Sequence, residues 1–147
     1  MKQEQNRVQS ILLDVNVCID IITKRALSYS IKKQMFSIII TQKIKTYIPA
    51  CSIDTIYYIL TSSMKINKEL ALNSIMKLIK YTHLLHSSDE SVQFASNSGF
   101  PDFEDGLINS IAVVNNIDAI ITSNTKDFKN STLPVYNPAA FITLSDR

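Results

Sequence analysis

Three short stretches of the chain carry oxygen-bearing side chains at places where chemistry could be done. Asp14 follows the apolar run Ile11-Leu12-Leu13 with Asn16 two positions on, Asp102, Glu104 and Asp105 open a helical segment, and Asn124 and Asp127 follow the apolar run Ala119-Ile120-Ile121. Carboxylates and amides are ligands for hard divalent ions such as Mg²⁺ and Mn²⁺, which keep several waters for reaction. An ion held in this way lowers the pKa of an attacking water and neutralises charge developing on phosphate oxygens, so the set suits phosphodiester hydrolysis. Without a cation the same acids would repel a nucleic-acid backbone.

Each acid also has a structural reading. Asp102 and Asp105 stand as N-cap and N3 of a turn resembling a capping box, and helix-start contacts of that kind are worth ~0.5–2 kcal/mol. Asp127 can initiate a turn before Phe128, and Asp54 with Thr55 can cap a helix. Asp14 is the strongest candidate for function, because a carboxylate directly after a buried strand is costly unless something binds it.

For these residues to meet, the intervening segments must bring them to one edge. Ser10 to Asp14 reads as a buried parallel strand, and Leu27 to Lys43 as a first crossover helix with Ile31, Met35, Ile38 and Ile39 on its apolar face. Thr46 to Ala50 is a second strand closed by Pro49, with Ser52 placed to cap the helix after it. Lys68 to Tyr81 is amphipathic, a short strand surrounds Leu84 and Leu85, and Ser88 or Asp89 caps the next helix. Gly99 and Pro101 break that helix, Asp102 starts another, and Asp118 to Thr122 supplies a further strand. Strands and helices alternating with short connections predict a parallel sheet covered on both faces, whose sites lie at the carboxyl ends of the strands.

Composition excludes several classes. A chain of 147 residues with 46% hydrophobic and 19% charged residues predicts one globular domain over 1–147, its core spanning about 10–143. The formal charge of +2 lacks the basic excess of proteins that bind nucleic acid mainly through charge. Apolar runs such as Phe36 to Ile40 fall far short of the ~20 residues of a membrane helix, and Met1 to Ser10 is polar, which predicts a cytoplasmic protein with no membrane association. Cys18 and Cys51 lack metal-ligand spacing and are expected buried and reduced, while His83 and His86 have no third ligand nearby. Tyr57 and Tyr58 have a spacing suited to packing.

Four segments together resemble the PIN family. Ile11-Leu12-Leu13-Asp14-Val15-Asn16-Val17 is similar to its opening strand, and Ile53 to Leu60 resembles the helix after its second strand. Asp102-Phe103-Glu104-Asp105-Gly106-Leu107 resembles its Asp-Phe-Glu-Asp-Ala-Leu element, and Thr122-Ser123-Asn124-Thr125-Lys126-Asp127-Phe128 its Thr-x-Asn-x-x-Asp-Phe element. They stand in the family's order and cover the chain from about Ile11 to Phe141. The resemblance implies a three-layer α/β/α fold with a central parallel sheet flanked by helices. It also implies a metal-dependent ribonuclease, VapC-like, with RNA as substrate, a cognate antitoxin as partner and a homodimeric assembly.

Carried over residue by residue, Asp14, Asp105 and Asp127 are the expected ligands of Mg²⁺ or Mn²⁺ and Asp102 an auxiliary catalytic acid, with Asn16, Thr122 and Asn124 at the substrate. Thr55 stands where the family usually has a Glu, and Gly106 where Ala is common. One firmly held ion is therefore expected, and a PIN domain that binds RNA or protein without cutting is the alternative. A phosphatase of the haloacid dehalogenase type fits less well, since Asn16 cannot serve as the general acid that mechanism places there. Lys24, Arg25, Lys32, Lys33, Lys126 and Lys129 are candidate phosphate contacts, and the Leu27 to Lys43 helix a candidate antitoxin surface.

Overall fold

Central strands that are apolar at every position, rather than at alternate ones, require cover on both faces. The computed structural model, which describes residues 7–23 and 29–147, provides it. Its elements run β1 (Ser10–Leu13), α1 (Val15–Ile22), α2 (Tyr29–Thr41), β2 (Lys45–Pro49), α3 (Ser52–Tyr58), α4 (Lys68–Lys80), β3 (His83–Leu85), α5 (Asp89–Ser96), α6 (Phe103–Val114), β4 (Ala119–Ile121), β5 (Val135–Tyr136) and α7 (Pro138–Ser145). A π-helical turn over Ile59–Ser63 prolongs α3, and a 3₁₀ turn spans Thr125–Phe128. The result is the three-layer α/β/α arrangement, a parallel sheet flanked by helices.

The five strands lie in the order β3-β2-β1-β4-β5, all parallel. Leu12 is in register with Tyr47 of β2 on one side and Ile120 of β4 on the other. Ile11, Leu12 and Leu13 are at most 1% exposed and Ala119 to Ile121 fully buried, which accounts for the unbroken apolar runs. Chain order moves outward from β1 through β2 to β3, then crosses to β4 on the opposite side of β1. That reversal opens a crevice beyond the carboxyl ends of β1 and β4, where ligands bind in sheets of this kind.

At the other end of the same two strands, Asp118 acts as a latch. Its Oδ2 accepts from the backbone N–H groups of Gln9 at 2.8 Å and Ser10 at 2.9 Å, and its own N–H donates to Ser10 Oγ at 3.0 Å. β1 and β4 are thus fixed against each other before they reach the crevice.

Several local expectations need correction. α1 was not expected, because Val15, Val17, Cys18, Ile19 and even Asp20 are buried, leaving no wet face to mark a helical period. Ser52 is not the cap of α3 but its first helical residue, and Cys51 holds the cap position without a side-chain capping bond. That turn also leaves Cys51 exposed, while Cys18 is buried as expected. Ser88 does cap α5, in a reciprocal pair with Ser91. Lys24, Arg25 and the Leu27 start of the expected first helix lie outside the described residues, and α2 is described from Tyr29. No helix among the described residues is long and apolar enough to cross a membrane.

Candidate active site

The site is built outward from Asp14, the residue between the last position of β1 and the first of α1. Its backbone N–H donates to the Ile121 carbonyl of β4 at 3.0 Å, which continues the sheet by one bond into the crevice. The residue is 4% exposed, and both of its carboxylate oxygens accept hydrogen bonds. Oδ1 accepts from the Val15 N–H at 2.8 Å, as the N-cap of α1, and Oδ2 accepts from the Thr122 hydroxyl at 2.9 Å. Thr122 follows β4 directly and its Oγ1 also accepts from the Asn124 N–H at 3.1 Å, so the cap of one helix and the turn after another strand share one network.

Thr122, expected at the substrate, is fully buried, and its hydroxyl donates to Asp14. Thr122→Val removes that donor while keeping the volume. If Asp14 holds a divalent ion, a loss of about 10- to 100-fold in metal affinity and in any cleavage that depends on it is expected, the usual cost of losing a group that orients a ligand. Cleavage rates and a divalent-ion titration check this, with Thr122→Ser expected to restore both.

The second acidic segment reaches the crevice from the start of α6. Asp102 caps the helix, its Oδ1 accepting from the Asp105 N–H at 3.0 Å, so its structural reading holds. The capping does not use the Asp105 carboxylate, which stands among other acids. Partial burial pushes Asp105 up to about 7, with Asp14, then Asp102, Asp127 and Glu104, raising it further by charge repulsion. Burial also raises Asp14; the bonds from Thr122 and Val15 oppose that rise, and Glu104 and Asp127 add to it. Among the described residues, the charged neighbours that act on Asp14 or Asp105 are all carboxylates.

Asp127 lies exposed in the 3₁₀ turn, tied by its N–H to the Asn124 carbonyl at 3.1 Å, and Asn16 is half-buried in the first turn of α1. Asp14, Asp102, Asp105 and Asp127 therefore share one electrostatic neighbourhood at one sheet edge. Thr55, in α3, brings no carboxylate to that edge. Gly106 fits its place: a Cβ there would stand 3.1 Å from Phe100 Cβ and 3.2 Å from Ser98 Oγ, so the preceding loop presses against the helix.

Whether this set suits a cation can be judged from its donors. They are oxygens bearing mutually repelling charges, which is the environment a hard divalent ion stabilises. Among the described residues, however, no three His, Cys, Asp or Glu side chains are close enough together to grip an ion as they stand. The expected trio of Asp14, Asp105 and Asp127 is coupled through charge rather than preassembled as a cage.

Two further acids belong to this region. Glu104, one of the acids that open α6 but not one of the expected ligands, acts on both Asp14 and Asp105. Asp20 is 2% exposed on α1, and Ser123 Oγ donates to its Oδ2 at 3.4 Å. The available signal was a lone carboxylate within the apolar stretch Val15 to Ile22.

Solved structures share this architecture at low sequence identity. VapBC2 from Rickettsia felis, bound to a promoter DNA fragment, aligns with a TM-score of 0.72 and 17% identity over 87% of this chain and 98% of its own. DNA-bound VapBC from Salmonella typhimurium gives 0.68 and 16%, over 88% and 98%. PAE2754 from Pyrobaculum aerophilum gives 0.66 and 13%, over 94% and 90%. No curated protein matches the chain in sequence. The family model described as PIN domain matches residues 10–126, a span that runs from β1 through Asp14, α6 and Thr122 into the 3₁₀ turn, and the chain belongs to the PIN domain family.

Proposed function

We propose that this chain is a divalent-metal-dependent endoribonuclease, the toxin of a type II toxin–antitoxin pair, formed as a single PIN domain with its core over about 10–143. The observation that carries the reading is the buried carboxylate of Asp14, bonded to Thr122 at the topological switch point and coupled by charge to Glu104, Asp105 and Asp127. When bound, Mg²⁺ or Mn²⁺ supplies activation of water and neutralisation of charge at the phosphate.

The chain's own residues have separate tasks in this reading. Asp14 and Asp105 hold the ion and Asp127 completes the oxygen set. Thr122 fixes the rotamer of Asp14 through its 2.9 Å bond. Asp102 holds the first turn of α6 and so the backbone position of Asp105. Asn16 and Asn124 border the site as candidate substrate contacts, and the exposed Lys126 and Lys129 offer charge to RNA phosphates. An antitoxin and a second copy would occupy apolar surface elsewhere; Tyr29 and Ile40 of α2 and Leu72 and Met76 of α4 are all more than half exposed. The reading carries with it a cytoplasmic location.

A panel of transfer and messenger RNAs incubated with the wild type, with and without Mn²⁺, tests the reading, alongside Asp105→Asn. Cleavage that needs Mn²⁺ and is lost in the variant supports it; no cleavage under any condition defeats it. A second reading is a PIN domain that binds RNA or protein without cutting. It draws on Thr55 at the usual Glu position and on the lack of three close acidic ligands among the described residues. Calorimetry that detects no binding of Mg²⁺ or Mn²⁺ would select it.

A further inference from the structure

Asn109 is out of keeping with its surroundings. It lies in the middle of α6 at 2% exposure, beside Ile108 and close in sequence to Ile111 and Ala112, which are core residues. An amide is a poorer helix former than alanine or leucine, and burying one costs free energy unless its polar atoms are bonded. Here the Asn109 Oδ1 accepts from the Ser131 hydroxyl at 2.5 Å, at the short end for such a bond.

Ser131 belongs to the segment that carries Asp127. Its N–H donates at 2.9 Å to the carbonyl of Phe128, the last residue of the 3₁₀ turn, and its hydroxyl accepts from the Leu133 N–H at 3.1 Å. The serine is thus held by its backbone to the turn and by its side chain to the helix. The turn has two further attachments: Phe128 meets Phe100 edge-on, and the Asn130 amide donates to the Gly99 carbonyl at 3.0 Å. Both reach the loop before α6. Among the described residues, the Asn109–Ser131 bond is the one side-chain hydrogen bond from this segment to α6 itself.

Asn109 stands one turn after Asp105, and residues four apart share a helix face. Asp105 and Asp127 repel each other, so their charges do not keep the turn beside the helix start. A bonded pair of neutral groups can. Replacing such a pair by apolar groups of the same shape costs little stability. What the pair contributes is a fixed relation between two elements.

We propose that Asn109 and Ser131 are positioning residues, whose hydrogen bond holds the turn carrying Asp127 against α6 so that Asp127 and Asp105 can share one ion. The sharing rests on the metal reading given above, but the tie itself can be measured without metal. Asn109→Leu keeps the branching of the side chain and frees a half-buried hydroxyl that can turn to water. Ser131→Ala breaks the same bond from the other side, and Ser131→Thr keeps it.

In the metal-free chain, amide hydrogen exchange over 125–131 is expected to quicken about 3- to 10-fold in Asn109→Leu and Ser131→Ala, the scale of one lost hydrogen bond. Exchange in β1 and α4 should stay as in the wild type. Calorimetry with Mn²⁺ should show affinity falling about 10- to 100-fold in both variants, as when a group that orients a ligand is lost, and recovering in Ser131→Thr. Added to Asp127→Asn, Ser131→Ala should cost no further affinity, because the tie acts through Asp127. Unchanged exchange in the turn would overturn the tie. Faster exchange with wild-type Mn²⁺ affinity would overturn the positioning role, as would losses from Asp127→Asn and Ser131→Ala that add in full. Faster exchange in a protein that binds no Mn²⁺ even as the wild type would keep the tie and remove the shared ion.

Discussion

Asp14→Asn is expected to lower RNA cleavage by more than about a hundredfold, the scale on which removal of one electrostatic group in an active site acts, while the protein folds as well as the wild type or better. The two effects have one cause. Asp14 is 4% exposed, and burial raises its carboxyl above the usual range, so the ionised form is held in the fold at a cost. Asn has nearly the same shape, and its amide oxygen can still accept from Val15 or Thr122, but it carries no charge. The substitution relieves the electrostatic cost and removes the charge that a divalent ion needs. Rates measured with Mn²⁺, together with melting curves taken with and without the ion, separate the two consequences. Wild-type cleavage in the variant would refute the role given to Asp14, whereas loss of folding would refute the claim that its charge opposes stability.

The second large effect is a stabilisation by Mg²⁺ or Mn²⁺ that fades in acid. At an ion concentration about 100 times Kd, ligand linkage adds ~2.7 kcal/mol, which for a chain of this size raises Tm by roughly 5–10 °C. The pH dependence follows from Asp105, whose carboxyl is pushed up from 3.8 to about 7. A raised carboxyl means that the folded state binds more protons than the unfolded one. Its contribution without metal is therefore fully present below about pH 4 and is lost as the pH rises through 7. The ion acts in the opposite sense, since it must displace that proton to bind. Scanning calorimetry across this range should show the metal-dependent gain in Tm grow from acid toward pH 8, with Asp105→Asn weakening both trends. A full gain retained in Asp105→Asn would exclude it as a ligand.

The elements most legible in the sequence are those where local pattern and tertiary demand agree. Ile11-Leu12-Leu13 reads as a buried strand because a central parallel strand has no wet face, and it is one. The helix expected over Lys68 to Tyr81 is found over Lys68–Lys80, with Ala71, Ile75 and Leu78 inward at helical spacing. Asp102 and Ser88 read as caps because a side-chain oxygen before a helix answers a local need, the unpaired N–H groups of the first turn. α1 was illegible for the opposite reason: periodicity is contrast, and buried residues around most of a helix remove it. Burial at single positions was harder still. Cys51 and Thr122 each follow a strand, yet one faces solvent and the other is enclosed, according to what packs above each turn.

By itself, then, the sequence determined the alternation of elements, the buried character of the central strands and the placing of acids at strand and helix ends, since these depend on neighbours within a few residues. Only the tertiary structure decided that Asp14 meets Thr122, 108 positions away, that Glu104 joins the same electrostatic neighbourhood, and that Phe103 faces outward while Phe100 faces in. Strand order is chosen by the burial of the whole sheet, with β4 crossing to the far side of β1. Contacts made by that crossing are energies of the assembled core, and no local run of residues contains them.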